Sequence, residues 1–526
     1  MGCLLAGRVL YHYFQLESYQ FPGYFRTLKR NLFKSVMPGL LMTCLIAVVL
    51  IPFSFLILPE EYEWAAGLIE TVIVIAGGRI IGRLCSEKKA KKAFVMTPRV
   101  KRLYAVSLAV MSLILMIPTA MMKIMIPAVH NGLILFLCFP LFLPLWTALC
   151  GLLAWPIEKL ISEMYFRDAQ RILRERSDLI RIGITGSWGK TSVKFILGTI
   201  LEEKYHTLIT PASFNTPMGV TKVIRSKLEP SHRVFVAEMG ARHVGDIKEM
   251  CRLVHPKIGI LTSVGPQHLD TFRTVERVAA TKYELIEALP DDGEAFFADD
   301  EGLCSGLYDK TVISKHLTGM NPEKDELWAE QIIYSPEGSS FVLCWEDNRI
   351  ACSTQLLGEL NIRNILLCAS VALTLGLSPE QIARGISKIR PIEHRLKLIR
   401  HPGGLNVIDD AFNSNIRGAK QAFEVLKQFP QRRVIVTPGM VELGDQEYEM
   451  NREFGKAMAD CCDTAVLVGR KRSEAIAAGL QENGFPDSSI KIVSSLEEAT
   501  ALINEITGAG DTILFENDLP DNYTET

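Results

Sequence analysis

The sequence predicts an α-helical membrane segment followed by an α/β region. Three observations predict it. Long uncharged apolar runs crowd the first third of the chain. From residue 180 onward, short β-branched runs alternate with helical stretches. The string IRIGITGSWGKTSVKFI, residues 180–196, joins a strand to a helix through a glycine turn.

The chain has 526 residues, room for several domains at roughly 100–200 residues each. Its formal charge of −2 argues against a nucleic-acid partner. None of the 12 cysteines forms a C-x-x-C pair, which argues against a zinc ribbon or a thioredoxin-like redox pair. Scattered among apolar runs, they suit small reduced core residues. No cleavable signal peptide is expected, because the first long apolar run starts near residue 36 behind a basic leader, residues 1–35.

Residues 36–58 carry no charge over 23 positions. At about 1.5 Å per residue that length crosses a hydrocarbon core of about 30 Å. Residues 103–122 and 131–155 read the same way, and 64–82 reads as a further span despite Glu70 and Arg79. Four transmembrane helices are therefore expected within 36–155. Interior prolines such as Pro38, Pro52 and Pro118 are compatible with membrane helices. Basic residues fill the leader and the middle loop RLCSEKKAKKAFVMTPRVKR, while the other two loops hold almost none. This bias places both termini and everything after the last span in the cytoplasm, where ATP is. The same loop is suited to anionic headgroups or an anionic lipid-linked substrate. Residues 156–179 read as a charged juxtamembrane helix or linker.

In the remaining two-thirds, LIRIGITG, VFVAEMG and IGILTSVG form one set of strands. LNVIDD, RRVIVTPGM, TAVLVG, IKIVSS and DTILFE form a second. Strands alternating with helices imply mainly parallel sheets covered by helices. Two sets imply two domains, 180–392 and 393–526, joined near Pro391–Arg395, with ligands at the carboxyl ends of the strands.

Thr185, Gly186, Ser187, Trp188, Gly189, Lys190, Thr191 and Ser192 follow a strand and open a helix. Outward N–H groups and the helix dipole favour a phosphate there. Lys190 would reach the β- and γ-phosphates of ATP, and Thr191 would ligate magnesium. The spacing G-I-T-G-S-W-G-K-T-S departs from the usual G-x-x-x-x-G-K-[ST].

This variant resembles the ATP loop of the Mur ligase family, ATP-dependent ligases that add amino acids to peptidoglycan precursors. Further matches run in family order. VAEMGARHVGDI resembles a segment with a magnesium-binding glutamate, implying that role for Glu238. TSVGPQHLDTF implies a second metal ligand at His268, and ATKYELIEAL a lysine open to carbamylation, Lys282, which as a carbamate would be a further metal ligand. GELNIRNILLCASVALTLG resembles the segment beside adenine and implies Asn361 and Asn364. PIEHRLKLI supplies Arg395 at the domain junction. VIDDAFNSNIRG implies Asp409, Asp410, Asn413 and Asn415, and VTPGMVELG matches the stretch after it. The matches cover about residues 180–516 and lie nearest the D-alanyl-D-alanine-adding branch. The resemblance implies a P-loop central domain and a Rossmann-like C-terminal domain. It also implies catalysis by Lys190, Lys282 and His268, with ATP and Mg2+ as cofactors.

Three departures stand beside the resemblance. The membrane segment and linker occupy the place of the family's UDP-sugar-binding domain. Leu360 and Ile416 replace a histidine and a proline. FENDLPDNY stands where relatives have a K-G-S turn, and Glu516 and Asp518 there would repel a carboxylate. Joining a carboxylate to an amine requires activation as an acyl phosphate, with positioning and charge neutralisation as the main demands.

The leading expectation is a membrane-anchored, multi-pass, ATP-dependent amide ligase acting on a lipid-linked or otherwise membrane-associated cell-envelope precursor. Its amine would come from an amino acid or peptide donor. One alternative is the joining of D-Ala-D-Ala to UDP-MurNAc-tripeptide. Another is a non-catalytic ATP-binding scaffold of an envelope-synthesis complex. A transporter is disfavoured by the single ATP loop and the lack of a transporter-type repeat.

Overall fold

The computed structural model describes residues 1–54, 60–86, 93–125, 139–212, 214–299, 302–411, 416–441 and 443–518. The chain divides into two compact units, Met1–Glu163 and Met164–Thr526.

The regular secondary structure among the first unit's described residues is all helical. Of the expected span 36–58, residues 36–54 fall on the helix Leu32–Ser54 and 55–58 lie outside the described residues, while 64–82 falls on Glu60–Leu84 and 103–122 on Pro98–Met125. Of span 131–155, residues 131–138 lie outside the described residues. Its remainder opens the helix Leu143–Arg174. By length and composition, Leu32–Val49 and Phe139–Arg174 are able to cross a membrane.

The basic leader forms the short helices Gly2–Ala6, Arg8–Leu16 and Phe21–Arg30. Its aromatic residues supply the core of this unit. Tyr11, Tyr13, Phe14 and Tyr24 are buried with Val100, Leu103, Leu143 and Trp146. Tyr11 stacks on Tyr104 at 4.3 Å and donates to Ser107 Oγ at 2.9 Å. Glycine permits the closest approach: a Cβ at Gly78 would lie 2.2 Å from the Gly2 carbonyl oxygen, and one at Gly82 would lie 2.0 Å from that of Leu5. Small residues at such crossings let helix backbones touch. At the start of the helix Pro98–Met125, Arg102 makes a bidentate ion pair with Glu158, and Arg99 lies over the Tyr19 ring at 3.9 Å.

The second unit contains three sheets. In the central one, β1 (Ile180–Thr185), β2 (Thr207–Ile209), β3 (Val234–Glu238), β4 (Ile258–Leu261), β5 (Glu294–Ala298) and β6 (Ser314–Thr318) run parallel in the order β2-β3-β1-β4-β5-β6. Alternate side chains fill opposite faces, as strand geometry requires. Phe235 and Ala237 pack into one apolar layer and Val234 and Val236 into the other. The three antiparallel strands β7 (Trp328–Ser335), β8 (Gly338–Trp345) and β9 (Asn348–Thr354) extend the second layer through Ala329, Phe341 and Leu343.

The last sheet holds β10 (Lys397–Arg400), β11 (Asn406–Asp410), β12 (Arg433–Thr437), β13 (Thr464–Val468), β14 (Ile490–Val493) and β15 (Thr512–Glu516). Their order is β10-β11-β15-β12-β13-β14, with β10 alone antiparallel. All eight strand segments expected from the sequence are strands. β2, β5 to β10 were not read from it.

The expected linker 156–179 is helical as far as Arg174, in continuation of the apolar run and with Pro156 inside the helix. Its last turns belong to the second unit. Phe166, Ala169 and Leu173 are buried in one core cluster with Val220, Val223 and Leu253. Asp168 pairs with Arg225 at 2.7 Å, and Gln170 donates to the Arg252 carbonyl at 2.6 Å.

Candidate active site

The site lies at the carboxyl ends of β1, β3 and β4, which are neighbours in the central sheet. β1 ends at Thr185, whose hydroxyl donates to the Met239 carbonyl at 3.0 Å. Gly186 has φ +153° and Gly189 φ +82°, backbone that glycine adopts without a Cβ penalty. A Cβ at Gly186 would strike Thr262 Oγ1 at 2.1 Å. The loop is pinned to the segment after β4. Ser187 N donates to the Ser263 carbonyl at 3.0 Å, and Trp188 N donates to Ser263 Oγ at 2.9 Å. Ser187 Oγ donates to the Gly265 carbonyl at 3.0 Å. The helix Lys190–Leu201 then starts with its N–H groups open toward the loop.

Lys190 Nζ donates to the Gly186 carbonyl at 2.6 Å and the Ser187 carbonyl at 3.1 Å. Burial pushes its pKa down to about 8, with Glu238 pulling it up and Arg395 pushing it down. Thr191 Oγ1 donates to both oxygens of Glu238, at 3.2 and 3.1 Å. Glu238 closes β3 and is only 1% exposed. Asn215 Nδ2 donates to its Oε1 at 3.1 Å, and Lys194 Nζ to its Oε2 at 2.9 Å.

The Thr191 hydroxyl and Glu238 carboxylate are a pair of hard oxygen donors, the kind magnesium takes while keeping several waters. Among the described residues no three His, Cys, Asp or Glu side chains gather around a common point. The donor set therefore fits a magnesium ion held by one carboxylate, one hydroxyl and its phosphate ligands.

The other expected residues distribute as follows. Ser192 is buried in the first turn of the loop helix. Lys282 is buried in the helix Val275–Glu287, and burial first, then the charge of Lys190, holds its ammonium well below the ordinary lysine range. His268, half-buried at φ +51°, opens the short helix Leu269–Phe272. Asn364 reaches the loop, since a Cβ at Gly189 would lie 3.1 Å from its Oδ1. Asn361 instead donates to the Leu357 carbonyl at 2.9 Å, inside its own helix start. Asn413 and Asn415 lie outside the described residues.

Arg395 sits between His394 at φ +59° and Leu396 at φ +48°. Two consecutive-but-one left-handed residues that are not glycine mark stored backbone strain at the domain junction. Asp409 Oδ2 pairs with His394 Nδ1 at 2.8 Å. Asp410 Oδ1 accepts from Leu396 N at 3.1 Å. Burial raises the Asp410 pKa to about 6 against the pull of Arg395. Asp410 and Glu516 end the adjacent strands β11 and β15 in register and share a side-chain hydrogen bond.

Lys194, Asn215 and Ser263 were not singled out from the sequence. For Lys194 a signal was present: it stands three residues after Thr191 on one helix, on the same face.

The model of the Mur ligase middle domain matches residues 184–372, and that of the Mur ligase glutamate ligase domain matches 394–516. The chain belongs to the Mur ligase family. It is thereby an ATP-dependent amide ligase. This Mur ligase is 27% identical over 337 residues to the UDP-N-acetylmuramoyl-tripeptide--D-alanyl-D-alanine ligase of Bacillus subtilis, covering 64% of this chain and 72% of that one. It is 27% identical over 353 residues to the enzyme of the same name from Escherichia coli, covering 65% and 77%. Its fold matches MurF from Acinetobacter baumannii with a TM-score of 0.62 at 24% identity, covering 69% and 78%. It also matches MurF of Thermotoga maritima in complex with ADP, with a TM-score of 0.61 at 23% identity, covering 68% and 80%.

Proposed function

We propose that this Mur ligase is anchored in the cell membrane, with its catalytic unit and both termini in the cytoplasm. In this reading it joins an amine donor to a membrane-associated, lipid-linked envelope precursor. One observation carries the membrane part of the reading: the helices of the first unit are apolar on their outer faces as well. Leu145, Leu149, Leu152, Trp155 and Leu160 are exposed on the helix Leu143–Arg174, as are Leu68, Ile69, Val72 and Ile80 on Glu60–Leu84. Helices apolar all round are expected where the solvent is lipid.

The proposed ligation runs through an acyl phosphate. The precursor carboxylate attacks the γ-phosphorus of ATP, the bond to the β-phosphate oxygen breaks, and ADP leaves an acyl phosphate. The donor amine attacks the acyl carbon, loses a proton, and expels inorganic phosphate. Lys190 moves from its own loop carbonyls onto the phosphates. Loop N–H groups hold the transferring group in place, so that positioning and charge stabilisation do most of the work. Glu238 and Thr191 would hold magnesium, which when bound neutralises phosphate charge. Arg395, whose charge acts on Lys190, would face the same phosphate charge.

Purified protein in detergent or nanodiscs, given ATP and a panel of lipid-linked and soluble envelope precursors with amino acid or dipeptide donors, tests this. ADP release dependent on a lipid-linked acceptor is expected. The names of the matched relatives favour a second reading, D-Ala-D-Ala addition to UDP-MurNAc-tripeptide. Turnover with that soluble acceptor alone would establish the second and remove the first. Membrane anchoring is tested separately: the full chain should stay in the pellet after carbonate extraction, and its release would remove the anchor.

A further inference from the structure

The buried ion pair behind the phosphate loop has a use beyond structure. Lys194 has no exposed side-chain surface and Glu238 almost none, yet they meet at 2.9 Å. Such a pair is costly to desolvate and is often replaceable by apolar residues without loss of stability. Here it is also held from behind. Lys194 Nζ donates to the Ala212 carbonyl, lies 4.6 Å from the centre of the Phe195 ring, and Ala212 itself has the left-handed φ of +45°. The ammonium is thus fixed by a backbone carbonyl and an aromatic ring outside the phosphate loop.

Its position divides the two oxygens of Glu238. Oε2 accepts from Lys194. Oε1 accepts from the neutral amide of Asn215 at 3.1 Å, and Thr191 Oγ1 spans both oxygens, 3.2 Å from Oε1 and 3.1 Å from Oε2. Thr191 and Lys194 project from one turn of one helix, so the hydroxyl and the ammonium are set on the carboxylate together.

We propose that Lys194 is a positioning residue that keeps Oε2 of Glu238 engaged by a fixed charge, so that the divalent ion displaces the neutral Asn215 amide, takes Oε1 alone, and the site selects magnesium over calcium. Calcium favours six to eight ligands and takes carboxylates with both oxygens, whereas magnesium needs few protein oxygens and keeps its waters. A carboxylate with one oxygen occupied by a fixed ammonium suits magnesium and denies calcium its bidentate grip. The proposal rests on Glu238 being a ligand of the nucleotide's magnesium.

The test titrates Mg2+ and Ca2+ into the full-length, ADP-bound protein by calorimetry, with Trp188 fluorescence as a second signal. Wild type should prefer Mg2+. Lys194→Met should cut the Mg2+-to-Ca2+ preference on the order of tenfold, through a gain in Ca2+ affinity as the second oxygen is freed. Lys194→Arg should keep most of the preference. An unchanged ratio in folded Lys194→Met overturns the proposal. Should that variant fail to fold, a wild-type crystal structure with ADP and magnesium decides: Glu238 bound through Oε1 alone with Lys194 on Oε2 is expected, and a bidentate Glu238 overturns it. Glu238→Gln should abolish the divalent effect; if it does not, Glu238 is not the ligand and the proposal falls. Acceptor-dependent ADP release, measured apart, tells that failure from a failure of the ligase reading.

Discussion

Lys190 Nζ donates to the carbonyl of Gly186 at 2.6 Å, so the cation of the phosphate loop is folded onto the loop's own backbone. A bound phosphate offers it a charged acceptor instead, and charge-assisted hydrogen bonds are the stronger kind. Lys190→Ala should lower acceptor-dependent ADP release by at least about 100-fold, as losing one preorganised donor to a developing charge does. The melting transition should persist. Near-normal turnover would show that the loop does not act on the γ-phosphate.

Lys282 is buried, and burial first, then the nearby charge of Lys190, push its pKa well below the ordinary lysine range, which favours the neutral amine. A neutral amine adds carbon dioxide: a nitrogen–carbon bond forms and one proton leaves, giving a carbamate. Stripping carbon dioxide from the buffer should slow the enzyme, and bicarbonate should restore it. Lys282→Ala should be slow and unresponsive to bicarbonate. A wild-type rate indifferent to bicarbonate would rule the modification out.

Asp410 carries the site's clearest pH dependence. Its folded pKa, about 6, lies above the ordinary carboxyl value of about 3.9. The folded state therefore binds the proton more tightly than the unfolded chain. The stabilising contribution is full below about pH 4 and is lost as pH rises through about 6. Asp410→Asn removes this titration. Its melting temperature should fall less between pH 5 and pH 8 than that of the wild type. Parallel pH profiles for the two proteins would count against the assignment.

The close crossing at Gly78 gives a test confined to the first unit. A valine there would drive its Cβ into the Gly2 carbonyl, a backbone atom with little room to yield. A destabilisation of about 1–3 kcal/mol is expected for such overpacking. Proteolysis in detergent should then cut the first unit faster, with ADP affinity unchanged. Equal protease resistance would mean that the helices can separate at no cost.

Much of the catalytic half was legible because local rules carried it. β-branched runs bounded by glycine gave the parallel strands near the site, and the phosphate loop has one local geometry. The strands that escaped were short, as β2 is at three residues, or mixed with polar positions, as in the antiparallel β7 to β9. Side-chain partnership was less visible. Glu238 could be placed at a strand end, but its contacts with Asn215 and Lys194 depend on packing between elements far apart in sequence. Asn361 is a further case: its motif position suggested the nucleotide, and the hydrogen bond from its amide to the Leu357 carbonyl was not readable from the sequence. In the leader, basic residues drew attention to orientation, whereas Tyr11, Tyr13 and Tyr24 determine how it folds.

The helix Leu143–Arg174 has a consequence for how this protein can be divided. Its apolar beginning belongs to the first unit, while Phe166, Ala169 and Leu173 complete the core of the second. The seam between the two modules thus runs through a helix rather than a loop. A soluble catalytic fragment cut at the first strand, residue 180, would leave an apolar trough open over Val220, Val223 and Leu253 and would be prone to aggregate. Any transfer of the second unit onto a different N-terminal segment must carry the helix from residue 164 with it.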